Sequence, residues 1–157
     1  MTQAKALQCE TALRAWLRTL PSGQRASALE AAAAAHGHAA RAAEAAQSST
    51  NRGTWYTPEP LVAAVLDHAL SPAALRTGRV LDPACGSGHF LVAAGQRMVA
   101  AGRPRRGLPA ALRGVDIDPK AVALTRLRLQ HAFGGAPAAW RSAITCADAL
   151  RLSAGDL

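Results

Sequence analysis

The sequence predicts an α/β fold, in which part of a doubly wound parallel sheet follows an α-helical N-terminal segment. Short apolar stretches at 80–81, 112–117 and 143–146 alternate with helical stretches at 89–101 and 120–132. The first fifty residues are nearly all helix formers. The order strand, helix, strand, helix, strand is that of one half of a doubly wound sheet.

Length and composition limit the classes of protein to which this sequence can belong. The chain has 157 residues, of which 50% are hydrophobic and 4% aromatic, and this suits one domain, or one domain with an appendage. No uncharged apolar stretch is long enough to cross a membrane. Three lone cysteines without CxxC spacing, Cys9, Cys85 and Cys146, favour a reducing, cytoplasmic setting and argue against disulfides or a metal site.

The chain is basic, with 18 Lys and Arg against 10 Asp and Glu, which gives a formal net charge of +8. Such a charge fits a polyanionic partner. It fits an Arg- and Ala-rich composition equally well, so charge alone does not decide the function.

Residues 1–50 are predicted to form a helical segment of two helices. Leu13, Leu17 and Leu20 recur at helical spacing, and Pro21 ends the first helix. Ser27 with Glu30 predicts a capping box that opens a second helix over 31–46. Because alanine-rich helices bury little area, we expect both to pack on the following domain or on a missing one.

Residues 51–157 are predicted to form the second unit, after a polar linker at 47–53. Thr57 is a natural N-cap, and Pro58 suits the first helical position. The helix predicted over 59–69 should bury four apolar side chains and end at Ser71. These side chains are Leu61, Val62, Val65 and Leu66.

A glycine turn connects the first predicted strand to the next helix. Asp82 stands at its entrance, followed by Gly86 and Gly88. Glycine lets a backbone approach a ligand closely. An acidic entrance without lysine serves a phosphate poorly, whereas it suits a ligand that carries an ammonium and a sulfonium. The turn therefore predicts a site for S-adenosyl-L-methionine.

The other two predicted strands are also followed by aspartates. Asp116 is placed to accept hydrogen bonds from both ribose hydroxyls, and Asp148 to accept from the adenine amino group. The alternative is that these aspartates, like Asp82, only cap helices and shape turns. For Asp118, before Pro119, capping is the preferred interpretation.

Four segments, in this order, resemble the adenine-N6 DNA methyltransferases. Residues 52–58 (RGTWYTP) are similar to the segment that precedes the glycine loop in the gamma-type arrangement. Residues 80–91 (VLDPACGSGHFL) resemble the cofactor loop, 114–119 (GVDIDP) the ribose motif and 146–150 (CADAL) the adenine motif. The residues within these motifs resemble those of restriction–modification methylases, either type I modification subunits or fused restriction–methylation enzymes.

The resemblance implies a Rossmann-like methyltransferase sheet and a role for nine residues. Tyr56 and Thr57 would contact the methionine part of the cofactor. Asp82, Ala84 and Gly86 would line its amino acid end, with Phe90 beneath the loop. Asp116 would hold the ribose, Ile117 would pack on the adenine, and Asp148 would accept from it.

The family's catalytic motif, Asn or Asp followed by Pro-Pro and an aromatic residue, is not found. The Asp-Pro pairs at Asp82 and Asp118 are not followed by a second proline, and Asn51 is the only asparagine. We therefore expect no catalytic residue here and a chain truncated before that motif. DNA would be bound by the complete enzyme, with a missing C-terminal half or a specificity subunit as partner and no membrane.

Three other interpretations remain open. A methyltransferase acting on protein glutamine or on RNA shares the glycine loop, although residues 56–58 favour DNA. A degenerate, non-enzymatic module could assemble with a partner through its alanine-rich helices. A nicotinamide dehydrogenase is least favoured, because the loop lacks three-glycine spacing and begins with an acid.

Overall fold

The computed structural model describes residues 2–46, 57–153 and 155. Eight α-helices and three β-strands make up these residues, together with three short 3₁₀ turns. In chain order they are α1 (Thr2–Thr19), α2 (Arg25–Ala46), α3 (Glu59–Ala69), α4 (Pro72–Thr77), β1 (Val80–Asp82), α5 (His89–Ala100), α6 (Leu108–Ala111), β2 (Leu112–Asp116), α7 (Pro119–Phe133), α8 (Pro137–Ala143) and β3 (Ile144–Cys146).

The three strands form one parallel sheet in the order β1-β2-β3. Asp82 pairs with Gly114, and Asp116 pairs with Cys146. Because all strands run the same way, their carboxyl ends meet at one edge, to which β1 and β2 each contribute an aspartate. The α/β class predicted from the sequence is confirmed, and the sheet is small relative to the helices that surround it.

The main core lies between the sheet and the helices that follow its strands. Leu91 and Met98 of α5, Leu112 of β2 and Ile144 of β3 are completely buried there. Close packing leaves no room for a side chain at Gly114, where a Cβ would lie 2.7 Å from Cδ1 of Leu91. The core thus fixes β2 against α5, and so fixes the start of the turn between β1 and α5.

Helix α7 is the central helix of the described structure. Its residues from Ala121 to Leu129 are all buried, because α1 and α2 pack on it in addition to the sheet, α5 and α8. Leu17 and Leu29 meet Leu127 in a second apolar cluster. The alanine-rich N-terminal helices therefore pack on the unit that follows them in the chain, one of the two outcomes expected from the sequence.

A buried carboxylate joins α1 to α7 and α8. Glu10 is 1% exposed and lies 2.8 Å from Arg14, 3.1 Å from Arg141 and 3.6 Å from Arg126. Burial by itself raises the pKa of Glu10, but hydrogen bonds from Arg141 and Arg14 outweigh it and hold the pKa below its ordinary value. A charge buried in this way is stable only with its partners in place.

Two predicted helix starts are wrong. Helix α2 begins at Arg25, and Ser27 lies inside it, where its hydroxyl donates to the carbonyl of Gln24 instead of capping. Helix α3 begins at Glu59 after Pro58, and no side chain caps it, so Thr57 is not its N-cap. A 3₁₀ turn precedes α2 and extended backbone precedes α3. In each case this preceding segment sets the direction in which the chain enters the helix.

The face that α3 buries is narrower than predicted. Its bounds agree with the expectation, and Val62 and Leu66 are buried, but Leu61 and Val65 are exposed. Ser71 does not simply end this helix, because its side chain accepts from the amide of Ala74 and caps α4. Among the described helices, none has the length and apolarity needed to cross a membrane.

Candidate functional site

The turn between β1 and α5 requires glycine at two positions. Gly86 and Gly88 have φ angles of 51° and 85°, a region that residues with a Cβ rarely adopt. A Cβ on Gly88 would also lie 2.8 Å from Cγ2 of Thr125. At Gly86 a Cβ would meet no atom of the described residues within 4 Å. The turn is therefore closed towards α7 and open on its other side, at the edge where the strands end.

Asp116, at the end of β2, holds this turn in place. Its Oδ2 accepts a hydrogen bond of 2.8 Å from the amide of Gly86, and its Oδ1 accepts one of 2.8 Å from the amide of Asp118. Each carboxylate oxygen has two lone pairs, so both oxygens keep acceptor capacity. One side chain thus connects the glycine turn to the segment after β2.

Asp82 stands at the entrance of the turn, and its Oδ1 accepts a 3.1 Å hydrogen bond from the amide of Ala84. Burial raises the pKa of Asp82 and the charge of Asp116 raises it further, although the Ala84 amide opposes both. The two carboxylates are close enough to repel each other. A cation bound between them would therefore be favoured electrostatically.

Helix α7 supports the turn from behind, through residues that the sequence reasoning missed. Thr125 Oγ1 donates a 2.8 Å hydrogen bond to the carbonyl of Gly86, and the Arg128 guanidinium donates to the carbonyl of Ser87. The other side of Arg128 makes two hydrogen bonds to Glu30 of α2, of 3.0 and 2.6 Å. No local pattern marked Arg128, because its charge partner, Glu30, lies ninety-eight residues away in the chain.

The same surroundings affect His89, the first residue of α5. Burial, together with the neighbouring positive charge of Arg128, lowers the pKa of His89 to about 4, although Glu30 opposes the shift. The ring is therefore neutral at neutral pH. Its Nδ1 lies 3.3 Å from Oγ of Ser87 within the turn, so His89 belongs to the support of the turn.

Asp118 follows the second strand and acts as a cap, as the sequence predicted. Its Oδ1 accepts a 2.9 Å hydrogen bond from the amide of Lys120 in the first turn of α7. Its Oδ2 lies 2.9 Å from Nε2 of His36 on α2. This contact is the main cause that lowers the pKa of Asp118. A second residue of α2 is therefore tied to the edge of the sheet.

Beyond β3, Asp148 also has a structural task. Its Oδ1 accepts a 3.1 Å hydrogen bond from the amide of Leu150, and its Oδ2 lies 3.3 Å from Nε of Arg151. The neighbouring Ala147 amide donates to the backbone carbonyl of Asp116 over 3.0 Å. Between these segments the Ile117 side chain is 48% exposed, which leaves an apolar surface beside two carboxylates.

Cys85 lies within the glycine turn but is not exposed to a ligand. Its thiol is buried beneath Gly114, and burial raises the pKa of Cys85 well above its ordinary value. The thiol is therefore protonated at neutral pH, and it packs as a small apolar side chain.

The structure brings six of the nine residues predicted from the sequence to the same edge of the sheet. They are Asp82, Ala84, Gly86, Asp116, Ile117 and Asp148. Phe90 lies in the first turn of α5, half-buried against the core. Thr57 is half-buried ahead of α3, and Tyr56 lies outside the described residues.

A cavity of about 970 Å³ lies beside this edge, between α2, α3, α5 and α7. His89 and Arg128, which support the glycine turn, form part of its wall together with Glu30 and Glu59. None of the predicted cofactor-binding residues that the structure describes lines it. The cavity and the open side of the turn are therefore two separate features.

The fold and this edge define a class of protein: α/β proteins whose parallel sheet carries a glycine turn and acidic strand ends at one edge. The chain belongs to the N-6 DNA Methylase family, whose family model matches residues 42–132, more than half of the chain. This confirms the resemblance stated from the sequence.

Two curated proteins show the same similarity. The adenine-specific methyltransferase PglX of Streptomyces coelicolor is 39% identical over 88 residues, which cover 46% of this chain and 7% of that protein. The methylase subunit of the type I restriction enzyme MjaIX of Methanocaldococcus jannaschii is 35% identical over 77 residues, which cover 49% of this chain and 13% of that subunit. The chain thus spans a small part of the length of these relatives. No solved structure gives a significant match.

Proposed function

We propose that this chain is the S-adenosyl-L-methionine-binding part of a site-specific adenine-N6 DNA methyltransferase from a restriction–modification system. Its sheet would be the first half of a Rossmann-like methyltransferase sheet, supported by the helical segment at 1–50. One observation carries the proposal. A left-handed glycine turn follows β1, and the Gly86 amide is held at 2.8 Å by the carboxylate of Asp116 from the neighbouring strand.

The residues at this edge fit the chemical groups of the cofactor. The open side of Gly86 leaves space for the amino acid end. The raised pKa of Asp82 reflects burial without a cationic partner, and an ammonium group would supply that partner. Asp116 keeps free lone pairs for two ribose hydroxyls, and the exposed side chain of Ile117 offers a surface to the adenine.

The remaining predicted residues complete the proposed site. Ala84 would lie beside the amino acid end with Asp82, and Phe90 would support the turn from the core side. Asp148 would accept a hydrogen bond from the adenine amino group, using carboxylate lone pairs that its capping hydrogen bond leaves free. Tyr56 and Thr57 would approach the methionine part.

When bound, S-adenosyl-L-methionine supplies a methyl group on a sulfonium, which is transferred to a nitrogen nucleophile by direct displacement. This chain's own residues would bind and orient that cofactor, and orientation is a large part of such catalysis. The nucleophile, the exocyclic amine of adenine, needs acceptors from the Asn/Asp-Pro-Pro-aromatic motif, which this sequence lacks. We therefore propose that base binding and the methyl transfer need a further segment or a specificity subunit, with DNA as substrate.

The test uses S-adenosyl-L-methionine carrying a tritiated methyl group, cross-linked to the full chain by ultraviolet light because the affinity is expected to be weak. Calorimetric titration at high protein concentration then gives the affinity. Asp116→Ala should weaken binding by about 1–3 kcal/mol, roughly 5–150-fold, because it removes hydrogen bonds to a charged group. Asp67→Ala, which changes an exposed carboxylate on α3, is the matched control and should bind as the parent does.

Equal affinities for the parent and Asp116→Ala would refute the ribose role, and the absence of any cross-link would refute the cofactor assignment. Circular dichroism melts of both variants show whether the loss reflects a lost contact or a lost fold. Transfer of the labelled methyl group to duplex DNA by this polypeptide alone would refute the proposed need for a further segment.

A further inference from the structure

A second charged surface lies at the opposite edge of the sheet, where the strands begin. We define the arginine face as the six arginines of α4, β2 and the loops before β1 and α6. They are Arg76, Arg79, Arg103, Arg105, Arg106 and Arg113. Arg79 immediately precedes β1, and Leu112, next to Arg113, pairs with Val80. The face therefore belongs to the amino ends of neighbouring strands, and the aspartates lie at the carboxyl ends.

Hydrogen bonds hold in place the two loops that carry this face. Arg103 donates to the carbonyl of Gly78, which links the loop after α5 to the loop before β1. Arg105 donates to the carbonyl of Ala132 in the last turn of α7, over 3.3 Å. The loops are thus fixed against one another, and the arginine face is a preorganised surface.

The segment that carries the arginine face contains almost no acidic residues. Between residues 71 and 115 the sequence contains one carboxylate, Asp82, at the far end of β1. Asp67 of α3, the nearest acidic residue before this segment in the sequence, is paired with Arg97 over 2.9 Å. Within the described part of the chain, Arg76, Arg79 and Arg106 form no ion pair, although all three are exposed.

Most of the other arginines of the described chain have a carboxylate partner. Arg14, Arg126 and Arg141 surround Glu10, and Arg128 is paired with Glu30. Because carboxylates accompany arginines in the structural networks, their absence at the arginine face is not a general consequence of the composition. The exposed guanidinium groups of Arg76, Arg79 and Arg106 raise the local concentration of anions.

We propose that the arginine face binds the phosphodiester backbone of double-stranded DNA, at the edge of the sheet opposite the proposed cofactor site. Guanidinium groups match phosphate geometry and remain charged at every relevant pH. Stable membrane binding would also need exposed aromatic or large apolar side chains, and residues 103–107 contain none. The choice of DNA among polyanions rests on the proposed function. The existence of a polyanion-binding face does not.

This surface would serve backbone contact and not base recognition. Contacts to phosphates fix how a protein lies on a duplex but carry no sequence information. The face would therefore hold DNA in the same way whatever its sequence, and binding would not depend on the cofactor.

The experiment measures the affinity of the full chain for a fluorescein-labelled 25-base-pair duplex by anisotropy, between 50 and 300 mM NaCl and without cofactor. Arg79→Gln/Arg106→Gln removes two charges from the face. Lys5→Gln/Arg18→Gln removes two exposed charges from α1 and is the matched control. Each lost phosphate contact lowers the slope of log K against log salt by about 0.9. We therefore expect the first variant to lose about 2 from the slope and to bind about 60-fold more weakly at 100 mM NaCl, if both contacts are lost and the affinities converge at about 1 M salt.

The control variant should keep the slope of the parent. Equal losses in both variants would show an effect of net charge alone and would overturn the proposal, as would a parent chain that does not bind the duplex at 50 mM NaCl. Binding to vesicles of phosphatidylserine but not to the duplex would overturn it in favour of a membrane. The DNA-binding experiment contains no cofactor, so a negative result does not affect the cross-linking test of the proposed function. A negative cross-linking result likewise does not affect the DNA-binding test.

Discussion

Removing the charge of Glu30 tests how the N-terminal helices support the glycine turn. Arg128 is 4% exposed in its side chain and Glu30 is 57% exposed. In Glu30→Gln one amide oxygen still accepts from Arg128, but an amide NH₂ replaces the oxygen that lies 2.6 Å from its Nη2. The variant therefore places a donor against a donor and leaves a buried guanidinium without its counter-charge.

The magnitude follows from the unequal burial of the two partners. Exposed ion pairs contribute about 0–1 kcal/mol, whereas removing one partner of a fully buried pair costs about 3–5 kcal/mol. With one partner buried and the other half in solvent, we expect Glu30→Gln to lower the free energy of unfolding by about 2 kcal/mol. With a urea dependence of about 2 kcal/mol/M, the midpoint falls by about 1 M.

Urea titration followed by circular dichroism measures this change. Asp67→Asn is the matched control, because Asp67 forms an ion pair of similar length with Arg97 but is 74% exposed, and it should cost less than about 1 kcal/mol. A double-mutant cycle with Arg128→Gln should return a coupling energy of about 2 kcal/mol. Equal midpoints for Glu30→Gln and Asp67→Asn would show that burial of Arg128 does not set the strength of the pair.

Two further predictions concern the core below the turn and the histidine beside it. Gly114→Ala should lower the free energy of unfolding by about 1–3 kcal/mol, because its Cβ would lie 2.7 Å from Leu91 and 3.0 Å from Cys85. Gly107→Ala, where a Cβ meets nothing within 4 Å, should be neutral or stabilising in the same urea titration, and equal losses would contradict the packing argument. The pKa of His89 falls from 6.5 to about 4 on folding, so the unfolded chain binds more protons between these values and stability is lost as pH falls from 6.5 towards 4. His89→Gln should reduce the difference between urea midpoints at pH 7 and pH 5, and an unchanged difference would mean that another group dominates.

Local sequence signals predicted most element bounds because those signals act within a few residues. Gly134, with φ of 77°, ends α7 where the paired glycines indicated. The Asp118 cap was predicted correctly for the same reason, since a short side chain next to a proline needs no distant partner.

Three short helices were missed, although each carried a signal. Helices α4, α6 and α8 all have a proline at the first or second position: Pro72, Pro109 and Pro137. Ser71-Pro72 was interpreted as the end of one helix, whereas Ser71 caps the next. The same residues stop and start helices, so the sequence alone did not distinguish the two.

The support of the turn could not be predicted from local patterns. Arg126 and Arg128 are charged residues in the middle of α7, and both are buried. Their burial depends on Glu10, more than a hundred residues away, and on Glu30, ninety-eight residues away. Only packing of α1 and α2 on α7 brings these charges together.

The sequence by itself determined the order of the strands and of the longer helices, the glycine turn and the aspartates that follow the strands, because backbone conformation and side-chain chemistry at these positions are local properties. Tertiary structure alone decided that Asp116 reaches across to the Gly86 amide, that α7 carries the turn through Thr125 and Arg128, and that one edge of the sheet is acidic while the other is basic. These features depend on contacts between segments that are distant in the chain. Only the packing of the helices on one another and on the sheet brings these groups together.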